Sequence, residues 1–465
     1  MGDADLSAPA RPSGQTASHG ADPQEQWLVA PPRAHRRAHG CKSRQLSQRE
    51  RTVRHLFTSQ IPGRTTRPRR QAGLRFIGLG VLATVAMTAC GGSAESSSAE
   101  SSDAPVKIGV LAALSGVYSS VGTPIKQGFD LYLEEHDNEL GGRKIETVYA
   151  DEGAGPQTGV PAAQKLMQQD KVVAITGVVS SATALALKAP MEQSKVLLVS
   201  ANAGPAAMGN SDYMWRASSD TYQASFAAGE HMAEALAGKK VFFMAADYAA
   251  GRDMFDAFKS GFEGAGGELA GEQFTPLGEV QDFQPYFGAI QSSGAEATYV
   301  FYAGGDALRF VGQYTQFGID DQAPLYAFGA AVEGDALAAL GEAALDVKSS
   351  YYYSDQLDNP VNKAFVKAYT AKYEKAPDTY AMFGYDAAQV LDKALAEVDG
   401  EVTGETLAKA VANVGTIESP RGDWSFTENH APEQHVYLRN VVEQDGAFVN
   451  EVVEDLGVFG DIDLK

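Results

Sequence analysis

From Val106 onward, short uninterrupted apolar runs alternate with longer amphipathic stretches, the pattern of βα units laid around a parallel sheet. VKIGVLAAL (106–114) predicts a buried strand. In the segment behind it Thr123 is placed to cap a helix, Pro124 suits its first turn, and Ile125, Phe129, Tyr132 and Leu133 fall on one face. KIETVYADE (144–152) predicts the next strand, and Val160–Gln169 a helix with Pro161 in its first turn. VVAITG (172–177), a helix opening near Ser181, and VLLVSA (196–201) continue the series.

Near residue 225 the rhythm restarts with a helix. Strands are predicted over KKVFFMAADY (239–248), GELAGEQFTP, ATYVFYAG (297–304) and PLYAFGA (324–330), with helices between them. Two α/β sheets are therefore implied. The pattern breaks at DVKSSYYYSD, helices are expected over 362–373 and 380–398, and the tail alternates like a hairpin around Asp445 and Gly446.

Upstream of Val106 the pattern is of another kind. Arg64, Arg67, Arg69, Arg70 and Arg75 precede the apolar run FIGLGVLATVAMTAC (76–90). That run is about 12 residues long before its small-residue end, too short for a bilayer core that needs roughly 20. Small residues before Cys90 resemble the processing site of bacterial lipoprotein signals, which implies lipid on Cys90. GGSAESSSAESSDAP (91–105) has no apolar group able to seed a core and suits a flexible tether. The expected organisation is a disordered extension over 1–63 with a true start downstream of Met1, near Val53, then a signal over 64–89 and the lipidated tether over 90–105. Arg69 and Arg70 fit a twin-arginine signal loosely, so general secretion is expected.

Charge narrows the partners. Of 38 basic and 59 acidic side chains, residues 1–89 hold 14 and 5, which leaves 24 against 54 and a formal charge of −30 for the remainder. Such a field repels nucleic acid and anionic membrane surfaces. Cys41 and Cys90 both precede Val106, so the folded part has no cysteine for a disulfide or a thiolate metal site. Its roughly 360 residues exceed what one core usually covers, and two domains are expected.

The chain resembles the substrate-binding lipoproteins of branched-chain amino acid type ABC importers. The likeness rests on IGVLAALSGVYSSVG, Gly141–Gly142, ITGVVSSATALA, VSANAGPA, ADYAAG and AMFGYDAA, in that order, and runs from about Val106 to Glu454. It implies the periplasmic-binding type I fold: α/β, two lobes, each a parallel sheet flanked by helices, joined by three crossovers. Lobe one would comprise 106–223 plus 352–425, and lobe two 224–351 plus 426–465. It also implies a small-molecule ligand in the interlobe cleft, permease and ATPase partners, and a lipid-anchored monomer on the extracytoplasmic face of the cell membrane. A ligand-sensing receptor of the same fold without transport is the alternative.

Local chemistry points to the same cleft. Gly177–Thr183 passes from a strand end into a helix, where backbone amides and the helix dipole favour an anion. Ser180, Ser181 and Thr183 add hydroxyls, with helix capping as the plainer role. The resemblance implies that Ser181 donates to a ligand carboxylate and that Asn202, Ala203 and Gly204 supply backbone groups beside it. Tyr118, Tyr248, Tyr302 and Phe383 are candidates for the apolar wall, and Tyr351–Tyr353 falls at an expected crossover.

Departures from the family pattern bear on the ligand. Amino acid binders hold the ammonium with an acid in the region matching Ala327–Ala331, and FGAA offers none, although Glu333 follows. An α-amino acid would then leave a buried charge unpaired, at a cost of several kcal/mol. Gly204 and Ala250 stand where the family often has a hydroxyl residue and a tyrosine. No nucleophile elbow, phosphate loop or zinc helix occurs. An enzyme, a cofactor and a metal are therefore not expected, and Arg421-Gly422-Asp423 suits a turn entering a strand.

Overall fold

The computed structural model describes residues 104–464. The signal, Cys90 and the tether up to residue 103 lie outside the described residues. In chain order the first part comprises β1 (Val106–Ala112), α1 (Ser119–Glu135), β2 (Glu139–Leu140), β3 (Arg143–Asp151), α2 (Pro156–Lys165), β4 (Ala174–Gly177), α3 (Ser181–Ser194), β5 (Leu197–Ser200) and β6 (Met214–Arg216). Its sheet has the order β2-β3-β1-β4-β5-β6 and is parallel except for the β2–β3 hairpin. Every residue of β4 and β5 is buried, which is why these strands read as unbroken apolar runs.

The second part follows with α4 (Gln223–Ala235), β7 (Lys240–Ala246), α5 (Ala249–Gly264), β8 (Glu268–Thr275), α6 (Gln284–Ser293), β9 (Ala297–Phe301), α7 (Gly304–Gln316), β10 (Leu325–Phe328), α8 (Asp335–Leu340) and β11 (Lys348–Tyr351). Next come α9 (Pro360–Tyr373), α10 (Thr379–Ala396) and α11 (Gly404–Val411), of which α10 packs back against α1. The chain ends in β12 (Ser425–Phe426), β13 (Pro432–Gln444) and β14 (Ala447–Phe459). The second sheet has the order β12-β13-β11-β10-β9-β7-β8, with β14 on β13. Asp445 (φ 52°) and Gly446 (φ 81°) form the hairpin turn with both residues left-handed. The architecture is the expected two-lobed α/β fold.

Two helix starts differ from expectation. Helix α1 opens at Ser119, after a 3-10 turn at Gly116–Tyr118, so Pro124 lies inside it and Thr123 caps nothing. Helix α2 opens with Pro156 behind Gly155, and Pro161 is interior. A proline inside a helix forfeits one backbone bond. Burial of Pro124 with Ile125 and Phe129 against the first sheet outweighs that loss in α1. In α2 the tightly wound turns give way to a π turn over Leu166–Asp170.

The chain passes between the two sheets near 217–222, 352–359 and 417–431; Arg421 ties the first and third together, and Asn359 of the second donates to Pro420 O. Its guanidinium donates to the carbonyls of Ser218 (2.6 Å) and Ala217 (2.7 Å), to Gln434, and pairs with Asp386 of α10 at 3.0 Å. Tyr352 donates to Asp220 O, and Gln434 to Gln223 and Ser218 O. Arg421 is 1 % exposed, so the arginine of the Arg-Gly-Asp turn is committed to this joint.

Candidate functional site: the interlobe cleft

The C-terminal strand ends of the two sheets carry the site. In the first lobe, Asp151 steadies the loop after β1 by accepting from Leu114 N (2.9 Å) and Ser115 Oγ (2.5 Å). That loop presents Tyr118, half-buried, beside α7 of the second lobe. Burial raises the Tyr118 phenol above its ordinary range, and the negative charges of Glu152 and Asp306 add to the shift. Tyr248, at the end of β7, is raised by burial and then by Tyr118 and Asp306. The two tyrosines thus approach the cleft from opposite lobes, close enough for one to bear on the other's ionisation.

The β4–α3 loop does not present its amides freely. The Glu152 carboxylate accepts from Val179 N (2.6 Å) and Ser180 N (3.0 Å), filling the anion position expected for a ligand. Ser180 Oγ caps α3 by accepting from Thr183 N at 3.3 Å, and Thr183 itself is fully buried beside Glu152, away from the cleft. Ser180 and Ser181 keep partly exposed side chains. Gly177 (φ 98°) and Val178 (φ 57°) are both left-handed, and for a β-branched residue that conformation costs of order 1–3 kcal/mol.

At the end of β5, Asn202 Nδ2 donates to Val179 O (2.9 Å) and Ser200 Oγ to Ala203 O (2.7 Å). Gly204 O accepts from the amide (3.1 Å) and hydroxyl (2.9 Å) of Thr221. A Cβ on Gly204 would sit 2.3 Å from Ser219 O, which accounts for the missing hydroxyl residue there.

The second lobe answers with aromatic rings. Tyr248, Phe301, Phe328, Tyr351 and Tyr352 form a ladder along the ends of β7, β9, β10 and β11, with successive centroids 6.1, 5.2, 5.1 and 5.2 Å apart. Phe383 of α10 extends it at 6.1 Å from Tyr352. Tyr302 does not join them. Successive strand residues face opposite sides, so Tyr302, next to Phe301, packs behind the sheet against Phe283 and Phe310, its hydroxyl 3.1 Å from Thr275.

Glu333 has a structural occupation. Its Oε1 accepts from Thr379 N (2.7 Å) and Thr379 Oγ1 (2.8 Å), and Oε2 pairs with Arg439 at 2.8 Å. Arg439 also donates to Tyr353 O (2.6 Å) and Ser349 Oγ (3.2 Å). The neighbouring Asp378 is pushed up to about 7 by burial and by the Glu333 charge. Glu333 is thus engaged before any ligand ammonium could claim it. The histidines are engaged too: His136 stacks on Tyr132, His430 on Trp215, His435 pairs with Asp455 and His231 approaches Glu454.

Residues not expected from sequence are Glu152, Phe301, Phe328 and the Glu333–Arg439 pair. The signals were faint: a second acid directly after Asp151, and an aromatic as the last residue of two strands.

Two hinged α/β lobes whose strand ends face each other across a cleft define a binding protein for small solutes. The periplasmic binding protein family model matches residues 105–447, and the chain belongs to that family. It is a substrate-binding protein of the branched-chain amino acid ABC transporter type. A "Leu/Ile/Val-binding protein homolog 6" of Brucella melitensis is 33 % identical over 370 residues, covering 77 % of this chain and 94 % of its own. An ABC transporter substrate-binding protein from Sphaerobacter thermophilus is 33 % identical with a TM-score of 0.73, covering 77 % of this chain and 100 % of its own. A solute-binding protein of an ABC transporter from R. palustris, in complex with 4-hydroxybenzoate, is 31 % identical with a TM-score of 0.72, covering 77 % and 98 %.

Proposed function

We propose that this chain is the extracytoplasmic receptor of an ABC importer, tethered through lipid on Cys90, and that its cleft takes a small aromatic monocarboxylate lacking an α-ammonium group. The observation that carries this reading is Glu333: the nearest acid after β10 is held by Arg439 and Thr379. An ammonium in the cleft would find no free carboxylate there, and an unpaired buried charge costs several kcal/mol. The half-buried rings of Tyr118 and Tyr248, the latter backed by the buried ladder, support a flat apolar ligand body, since stacked or edge-on rings contribute about 0.5–1.5 kcal/mol per pair beyond their buried area. The carboxylate is assigned to Ser180 and Ser181 with backbone amides at Asn202 and Gly204, the Ala203 amide being taken by Val178 O, and the ring to Tyr118, Tyr248 and Phe383. The ligand contacts both lobes only when they close, so differential affinity for the closed state drives closure.

A thermal-shift and calorimetric comparison of benzoate, 4-hydroxybenzoate, leucine and valine tests the ligand class. At a hundredfold excess over Kd a true ligand adds about 2.7 kcal/mol of stability. Stabilisation by the benzoates but not the amino acids is expected. The reverse pattern overturns the reading. For the tether, Cys90→Ser should abolish labelling by radioactive palmitate in a bacterial host, and retained label refutes it.

A further inference from the structure

Glu152 is 0 % exposed and no cation pairs with it among the described residues; burial raises its carboxyl above the ordinary range, and the hydrogen bonds from Val179 N and Ser180 N act against that shift to favour the anion. Its backbone is pinned to the first strand through Glu152 N donating to Ala112 O at 2.9 Å. Gly159 packs closely on its side chain: a Cβ there would lie 3.0 Å from Glu152 Cγ and 2.7 Å from Thr183 Cγ2. The carboxylate is therefore held against the two amides that it accepts from.

Those amides complete a loop in which each backbone group is spoken for. Gly177 O accepts from Ala201 N (2.8 Å), Val178 N donates to Leu111 O (2.6 Å), and Val178 O accepts from Ala203 N (3.0 Å). Val179 O accepts from Asn202 and Ser180 O from Ala184 N (3.0 Å). A valine in the left-handed region persists only where its surroundings over-determine it. Val179 N and Ser180 N are the two donors that only Glu152 satisfies.

We propose that Glu152 is a positioning residue for solute specificity: an internal anion that occupies the loop amides, fixes the left-handed turn at Val178, and leaves an incoming carboxylate the serine hydroxyls instead. This rests on the reading of the cleft as an anionic-solute site.

The test uses the full chain with Glu152→Ala and Glu152→Gln, and 4-hydroxybenzoate, acetate and formate as probes. In E152A the amides face a space one carboxylate wide. Acetate or formate should raise the melting temperature of E152A and slow hydrogen exchange at Val179 and Ser180, while leaving the unaltered protein unmoved. E152A should bind 4-hydroxybenzoate roughly tenfold more weakly, in line with lost charge-assisted hydrogen bonds, with acetate restoring affinity. Undiminished affinity together with no acetate effect overturns the assignment. Should E152A not fold, E152Q decides: it retains the shape but turns a donor toward one amide, so weaker binding by a folded E152Q supports the role and unchanged binding overturns it. If the unaltered protein ignores 4-hydroxybenzoate, the ligand class has failed, and the acetate-dependent exchange and melting still decide the role of Glu152.

Discussion

The two faces of the cleft are made of opposite materials. On the first lobe the strand ends are polar and internally saturated, with Asp151, Glu152 and Asn202 each binding loop backbone. On the second lobe the same topological position is a row of aromatic rings from Tyr248 to Tyr351. One face fixes loops by hydrogen bonds, and the other is a packed aromatic row, buried from Phe301 to Tyr351 and half-buried at Tyr248. A ligand with a carboxylate at one end and a ring at the other matches that division, and neither lobe alone can bind both ends. On the proposed reading, closure is thereby coupled to recognition.

The strongest way to break the comparison is to unfasten the joint that brings the faces together. Arg421→Met removes the pair with Asp386 and strands a buried carboxylate that also accepts from Ser419 (2.8 Å) and Trp424 (3.0 Å). The arginine is itself pushed down to about 10 by burial, a sign of how little solvent reaches it. A loss of about 3–5 kcal/mol is expected from urea denaturation followed by tryptophan fluorescence. Adding Asp386→Asn to Arg421→Met should recover part of it, because the uncompensated charge goes. No recovery would show that the loss comes from the other Arg421 bonds, to Ala217, Ser218 and Gln434, and not from the stranded charge.

A smaller effect probes the polar face. Ser181→Ala is expected to weaken binding of 4-hydroxybenzoate by about 1–3 kcal/mol, the range for a hydroxyl that meets a charged group. Because Ser180, not Ser181, caps α3, the melting temperature without ligand should barely move. Unchanged calorimetric affinity would move the carboxylate elsewhere.

The fold was largely legible because alternation between apolar runs and amphipathic helices is a local signal, visible in β1, β4, β7 and β9 without any partner. The helix starts at Ser119 and Pro156 were not legible, since burial decides whether a proline is tolerated inside a helix. In the candidate site, the capping role of Ser180 could be read from its place between a strand end and a helix. Glu152 could not, because its role depends on β3 and β4 lying on either side of β1. Glu333 is the same case: its partners, Thr379 and Arg439, are 46 and 106 residues away.

The smallest expected effect separates the aromatic face from the core behind it. Tyr302 and Phe301 are neighbours with the same sequence credentials for a ligand wall, and strand geometry sends them to opposite sides of the sheet. Tyr302→Phe removes one hydroxyl whose partner, Thr275, is fully buried. The loss in stability should therefore be about 0.5–1.5 kcal/mol, the net worth of one internal hydrogen bond. Affinity for 4-hydroxybenzoate should stay the same, since that hydroxyl points away from the cleft. Tyr248→Phe in parallel tests the opposite side: its ring stands in the ladder, so the ring contact survives while any hydroxyl contact to a ligand is lost. A drop in affinity for Tyr302→Phe without one for Tyr248→Phe would reverse the assignment of the two faces.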